Sequence, residues 1–189
     1  MARTLSSPQV AARITATLAN AIDNGVQSAT VTQGFSLSPS TTLANGTSAN
    51  QCDRVWSSTA RALSSGGSEN IDMYDLAAFD IGGGAGKDAT GQAFNNVECV
   101  ALLIRCNATS AGTLIIGGEG SAAAWQSPFM VSGSLSDTAQ VTIGIGGWLL
   151  LFAPADPAYP IADTSNHLLK IAASGGAATY DAAILFRSA

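Results

Sequence analysis

Charged side chains are what this chain most lacks: 11% of its 189 residues are Asp, Glu, Lys or Arg, against roughly 25% in an average globular protein. Lysine is scarcest, with Lys87 and Lys170 alone. Disordered chains combine low hydrophobicity with high charge. This chain is 47% hydrophobic, so its balance excludes disorder and implies a folded core. A free-standing monomer usually stays soluble through mixed surface charge, and Lys is depleted from interface cores. A surface this poor in charge suits a protein covered by partners, or one solubilised by Ser, Thr, Asn and Gln. The net charge is −5 and no basic run occurs, which excludes binding duplex nucleic acid by neutralising its phosphates.

Long apolar runs are also missing. The longest, Trp148 to Pro154, falls far short of the roughly 18 residues of a membrane-spanning helix, so no membrane partner is expected. The first residues hold an early Arg but no continuous apolar segment. They do not read as a secretory signal, which points to synthesis and assembly in a cytoplasm. Cysteine is sparse and odd in number: Cys52, Cys99 and Cys106 do not make a disulfide framework. If Val97–Cys106 is one strand, Cys99 and Cys106 lie about 23 Å apart on opposite faces. Buried, reduced thiols are the expected state.

Histidine occurs once, as His167. A Ser-His-Asp site would need that residue as its base, with the nucleophile on a strained turn, and no G-x-S-x-G elbow is present. One His and three dispersed Cys provide neither C-x-x-C nor H-x-x-x-H spacing, so no metal is expected. The segment Ile81–Asp88 (IGGGAGKD) looks like the end of a phosphate loop. However, Ile81 stands where the first glycine belongs and Asp88 where Ser or Thr belongs. A loop between strands is the better reading, as it is for Gly144–Gly147. Asp72, Asp75 and Asp80 lack an EF-hand register and read as solvated loop acids, although a cleft holding two of them would suit glycoside hydrolysis. The sequons at Asn45 and Asn107 matter only in a secreted eukaryotic protein. No catalytic, cofactor-binding or metal-binding residue is therefore assigned, and the chain is not expected to be an enzyme. Trp56, Trp125 and Trp148 are more readily core or interface anchors than a sugar-stacking platform. Trp148 opens the most apolar strand and is expected in the core. Trp125 is the candidate for exposure.

What the chain does have is strand periodicity. In Ala178–Arg187 the even positions Ala178, Tyr180, Ala182, Ile184 and Phe186 are apolar, while the odd ones include Thr179, Asp181 and Arg187. That pattern describes a strand with one face in a core. His167–Ala173 precedes it across Ser174–Ala177, and the two are expected to close as a hairpin. Further strands are expected at Val97–Cys106, Thr113–Gly117, Gln140–Ile145 and Gly147–Ala153. The last does not alternate and reads as a central strand buried on both faces. A second hairpin is expected from Asp53–Leu63 and Ile71–Phe79, turning at Ser64–Ser68. Short strands so punctuated predict an all-β, sandwich or jelly-roll-like fold.

The N-terminal region is ambiguous. Val10, Ile14, Leu18 and Ile22 are four apart, which suits a helix face and a strand face equally. Ser7-Pro8 and Asn24-Gly25 resemble helix start and stop signals. The alternation of Arg13, Thr15 and Thr17 with Ile14, Ala16 and Leu18 favours a strand. The organisation expected is an N-terminal arm (or short helix) and polar connector over 1–50, with residues 33–51 as the connector, then a β-sandwich over 51–189. Such an arm would naturally pair with a neighbouring subunit.

From about Asn50 onward the chain resembles small structural proteins encoded in tailed-bacteriophage morphogenesis clusters. The likeness lies in Ala49–Trp56, Arg61-Ala62-Leu63 and the Trp148–Ala153 strand running into Pro154-Ala155-Asp156. It also includes Asn166–Ala172 and Ala178–Asp181. The resemblance implies a β-sandwich component of the virion, foremost a head decoration (cement) protein. Such proteins sit as homotrimers on the major capsid protein and clamp adjacent capsomers. A tail or tail-tip protein with a carbohydrate-binding sandwich is the alternative. The matching segments are scaffold and imply no functional residue.

Overall fold

The computed structural model describes residues 5–23, 28–77, 85–87, 93–118, 120–125, 129 and 139–189. Every regular element among them is a strand. The first six are β1 (Gln9–Ala11), β2 (Ile14–Asp23), β3 (Ser28–Leu37), β4 (Ser40–Thr42), β5 (Ala44–Asn45) and β6 (Gln51–Cys52). Then follow β7 (Arg54–Leu63), β8 (Ser68–Asp72), β9 (Asn96–Cys106), β10 (Thr113–Gly117) and β11 (Gln140–Ile143). The last four are β12 (Trp148–Phe152), β13 (Tyr159–Pro160), β14 (Leu168–Ser174) and β15 (Ala178–Ser188).

Two antiparallel sheets form the body. A five-stranded sheet runs β12-β9-β15-β7, with β13 also on β9, and a four-stranded sheet runs β11-β10-β14-β8. The sheets face each other across one core. It holds Trp56, Leu102, Ile104, Tyr180, Ile184 and Phe186 from the first, and Ile71, Leu114, Ile116, Leu169 and Ile171 from the second. The even positions of β15 point inward, as their alternation predicts. Among the connections that cross from one sheet to the other, β7 to β8, β9 to β10, β11 to β12 and β14 to β15 join strands at matching positions, so that these four pairs stand in the same order in both. That strand order is a jelly roll.

This topology replaces both expected hairpins with arches. β14 does not pair with β15, nor β7 with β8. The turn at Ser174–Ala177 is tied to the neighbouring arch: the amides of Ala111 and Gly112 each donate to Ala177 O at 2.9 Å. A Cβ on Gly176 would come within 2.6 Å of Ala111 O, so the two turns pass backbone to backbone. The segment expected at Ile71–Phe79 ends as a strand at Asp72. There the carboxylate accepts the Tyr74 amide at 2.9 Å and starts a turn; Phe79 lies outside the described residues. β12 is an edge strand and not a central one. Residues 33–51 are not simply a connector, because they include the end of β3 together with β4 and β5.

A bulge corrects the cysteine geometry. Leu185 pairs with Ala101 but Phe186 pairs with Cys99, so Val100 is an extra residue. The slip turns Cys99 to the same core as Cys106. Cys52, Cys99 and Cys106 are all free and buried. Burial pushes the Cys99 thiol pKa well up.

The N-terminal region is strand, and it forms one ribbon. β1 pairs with β4 (Gln9 opposite Thr42), and β2 pairs with β3 in the same running register (Ile14 opposite Leu37). The Ala12 amide donates to Pro39 O at 3.1 Å across the break between them. The near end packs on the body, where Leu5 and Val10 meet Leu43, Cys52, Val100, Phe152 and Leu185. The far end, β2–β3, pairs with no other strand among the described residues. Its expected stop, Asn24-Gly25, lies outside them.

Candidate functional site: the outer face of the five-stranded sheet

The inner face of the five-stranded sheet is core; the outer face is where this chain departs from an ordinary soluble sandwich. Cross-strand register arranges it in rows. The first row is Phe152, Ala101, Leu185 and Val55, and the second is Leu150, Leu103, Ala183 and Ser57. A third holds Trp148, Arg105 and Asp181, closed by an Arg105–Asp181 ion pair at 3.2 Å. A solvated face normally carries polar residues at alternate positions. Here two rows are largely apolar. Trp148 is 54% exposed, and Val55 and Leu103 are exposed as well.

The near end of the ribbon covers part of the first row. Between it and the rest lies a cleft of about 570 Å³, lined by Val10, Arg13, Leu103, Arg105, Trp148 and Leu150 among others. Past Arg13 the ribbon continues as the β2–β3 hairpin. Its pairing register sets Ile14 of β2 opposite Leu37 of β3. Next to that pair, Thr15 stands opposite Ser36 and Thr17 opposite Gly34. At the described base of the hairpin, Ile14 is 69% and Leu37 66% exposed.

The tryptophans reverse their expected places. Trp125 is buried, 3% exposed, with its indole N–H donating to Pro160 O at 3.0 Å and its ring edge-on to Phe129 and Tyr159. Trp148, expected in the core, lies on the outer face. Within β12, Leu149 and Leu151 face the core, and alternation turns Trp148 outward. The apolar run hides that alternation because the outer face is apolar too. Trp56 is core, as expected.

The other chemical candidates are dispersed. His167 Nε2 lies 3.7 Å from Asp72 Oδ2, while its backbone bonds Ala123 O and the Met73 amide. The Asp72 carboxyl is held above its ordinary pKa by burial, aided by Asp75 and opposed by the Tyr74 amide and His167. Asp75 turns to its own loop, accepting the Ala77 amide at 2.8 Å. Asp80 and most of Ile81–Asp88 lie outside the described residues; Lys87 bridges to Ala93. Among the described residues no group of three or more His, Cys, Asp or Glu is placed to hold a metal. A second, polar cleft flanks β7, but Glu69 there binds both Arg61 and the Tyr180 hydroxyl.

Comparison with protein families, with curated proteins and with solved structures finds no match to this chain.

Proposed function

We propose that this chain is a structural, non-catalytic subunit of a tailed-bacteriophage virion: a capsid decoration (cement) protein that bridges capsomers. It would act as a homotrimer seated on the major capsid protein, without metal or cofactor. The observation that carries the reading is that one chain leaves apolar surface uncovered, on the outer sheet face around Leu103 and Trp148 and at Ile14 and Leu37 at the base of the β2–β3 hairpin. Apolar patches of that kind mark interaction surfaces. The placement in a virion rests on the resemblance of Ala49–Trp56 and the C-terminal strands to phage structural proteins. The jelly roll agrees with it, since viral capsid domains use that fold, but so do lectins and cupins. A subunit that binds only the assembled shell stabilises that shell by mass action.

The test adds the purified full-length chain to expanded heads of the encoding phage that lack it. Co-sedimentation, density across capsomer boundaries and heads that survive higher temperature are the expected results. A strictly monomeric chain that leaves such heads bare would sink the reading.

One observation favours a second reading, a tail-tip module that binds host polysaccharide. An exposed Trp148 beside the Arg105–Asp181 pair is a ring platform with polar groups at its edge. Titration with host polysaccharide should then shift tryptophan fluorescence, and Trp148→Ala should abolish the shift. An unmoved spectrum removes this reading.

A further inference from the structure

We infer that the cleft between the near end of the ribbon and the five-stranded sheet binds a small amphipathic anion. Its flat aromatic body lies against Trp148 and Leu103, and its carboxylate or sulfonate head meets Arg13 and Arg105. This goes beyond the structural role proposed above and does not rest on it.

Both walls of the cleft are fixed within the chain. One is the sheet, whose second row supplies Leu150 and Leu103 and whose third supplies Trp148 and Arg105. The other is the segment 8–13. That segment is tied down by the β1–β4 ladder, by the Leu43 amide donating to Pro8 O at 2.8 Å, and by Val10 packed on the group around Phe152 and Leu185. The result is a mainly apolar cleft of about 570 Å³. Small-ligand sites share that make-up and run from about 300 to 1,000 Å³. Trp148 and Leu103 leave 54% and 41% of their surface uncovered. An aromatic body laid on them removes that apolar area from water and stacks on the indole.

Charge decides the sign of the head. The chain has 13 acidic and 8 basic side chains, yet two arginines and no Asp or Glu line this cleft. Arg105 uses one guanidinium nitrogen within the chain: Nη2 meets Asp181 Oδ2 at 3.2 Å and Asn107 Oδ1 at 3.0 Å. Asp181 is itself held, because its other oxygen accepts the Ala60 amide at 2.9 Å. Arg105 is therefore positioned through one corner of its planar fork. Its Nε and Nη1 donors have no partner among the described residues, and a fork of that shape suits an oxyanion. Arg13 is exposed and makes none of the ion pairs among the described residues. An anion is thus favoured here although the chain as a whole is negative.

The experiment titrates the folded full-length chain with anilinonaphthalene sulfonate, an aromatic body with one anionic head, and reads its fluorescence. One saturable site per chain is expected. The probe should also raise Tm, as any ligand of the folded state alone does. Phenylnaphthylamine has the same rings without the sulfonate and should bind about 10-fold more weakly. Arg13→Gln and Arg105→Gln should each weaken the sulfonate by a similar factor, about 10-fold. Leu103→Glu sets an acid in the cleft and should weaken it by about 100-fold. Lys170→Gln, on the other sheet, should leave binding unchanged. Circular dichroism of the two arginine variants should match wild type, which separates a lost site from lost folding.

A chain with no saturable site overturns the inference, and so does a probe that lowers Tm. Equal binding of the neutral analogue, or arginine variants that bind like wild type, overturns it too, since the cleft would then be an apolar patch without anion recognition. A chain that binds heads but not the probe keeps the virion role and loses the site. A chain that binds the probe and ignores heads does the reverse.

Discussion

Arg187 offers the most decisive test of how this fold is held at its C-terminal end. Its side chain is 1% exposed. One nitrogen meets the Glu98 carboxylate and also donates to Ala155 O at 2.8 Å; the others donate to Pro154 O at 2.8 Å and Gln51 O at 3.0 Å. One guanidinium thus joins β15 to β9, to β6 and to the loop after β12. Truncating one partner of a buried ion pair leaves the other charge without compensation and typically costs about 3–5 kcal/mol. Arg187→Ala also strands the Gln51 and Ala155 carbonyls, while Pro154 O keeps the Asn50 amide, so the upper part of that range is expected. For a chain of this size it corresponds to a fall in Tm of roughly 8–20 °C. Arg187→Lys keeps the charge but not the planar fork and should fall between. Equilibrium urea unfolding gives each value, and Arg187→Met, Glu98→Leu and the variant carrying both form a double-mutant cycle. Removing both charges together should recover about half the loss or more. If Arg187→Ala costs under about 1 kcal/mol, or if the double variant is simply additive, the clamp is not what holds these elements.

Three further outcomes follow from the same geometry. Trp125→Ala should destabilise by about 3–5 kcal/mol and Trp148→Ala by about 1 kcal/mol or less, with the Trp148→Ala chain losing the acrylamide-accessible part of the fluorescence. Gly176→Ala should cost about 1–3 kcal/mol by thermal unfolding, because the new Cβ would meet the Ala111 backbone. Burial, with help from Asp53 and against Arg187, raises the Cys52 thiol pKa from 9.0 to about 11. The folded chain then keeps a proton that the unfolded chain releases, so this stabilisation is full below pH 9 and fades towards pH 11. Stability measured across that window should fall by up to about 1.4 kcal/mol per pH unit for this group, and Cys52→Ala should flatten that share of the slope.

The elements that alternate cleanly were legible from composition and spacing alone. The even positions of β15 and the limits of β9 and β10 correspond closely to the structure. Where the turns led was not legible. A Gly-rich link between two one-sided strands reads the same whether the chain pairs back on itself or crosses to the opposite sheet. The choice is made by a remote backbone, here Ala111 and Gly112 against Ala177. The single-residue slip at Val100 likewise has no local sign, and it moved Cys99 to the other face. The candidate site was the least legible part. Trp148, Leu150 and Phe152 looked like core because core is the usual reason for an apolar run, and an uncovered apolar face produces the same run. The four-residue spacing from Val10 to Ile22 held the information about the ribbon. It became readable only once the strand pairing removed the helical alternative.

The crossing connections have a consequence in time. Apart from β10 with β11, the ladders of the two sheets join segments far apart in the chain, and β15 stands between β9 and β7. In a growing polypeptide β7 and β9 therefore lack the strand that joins them until Ala178–Ser188 has been made. Folding that depends on such distant pairings is slow, on the order of milliseconds to seconds. Synthesis and folding are consequently separate events for this protein: a nascent chain halted anywhere before Ala178 lacks the strand that makes its larger sheet continuous.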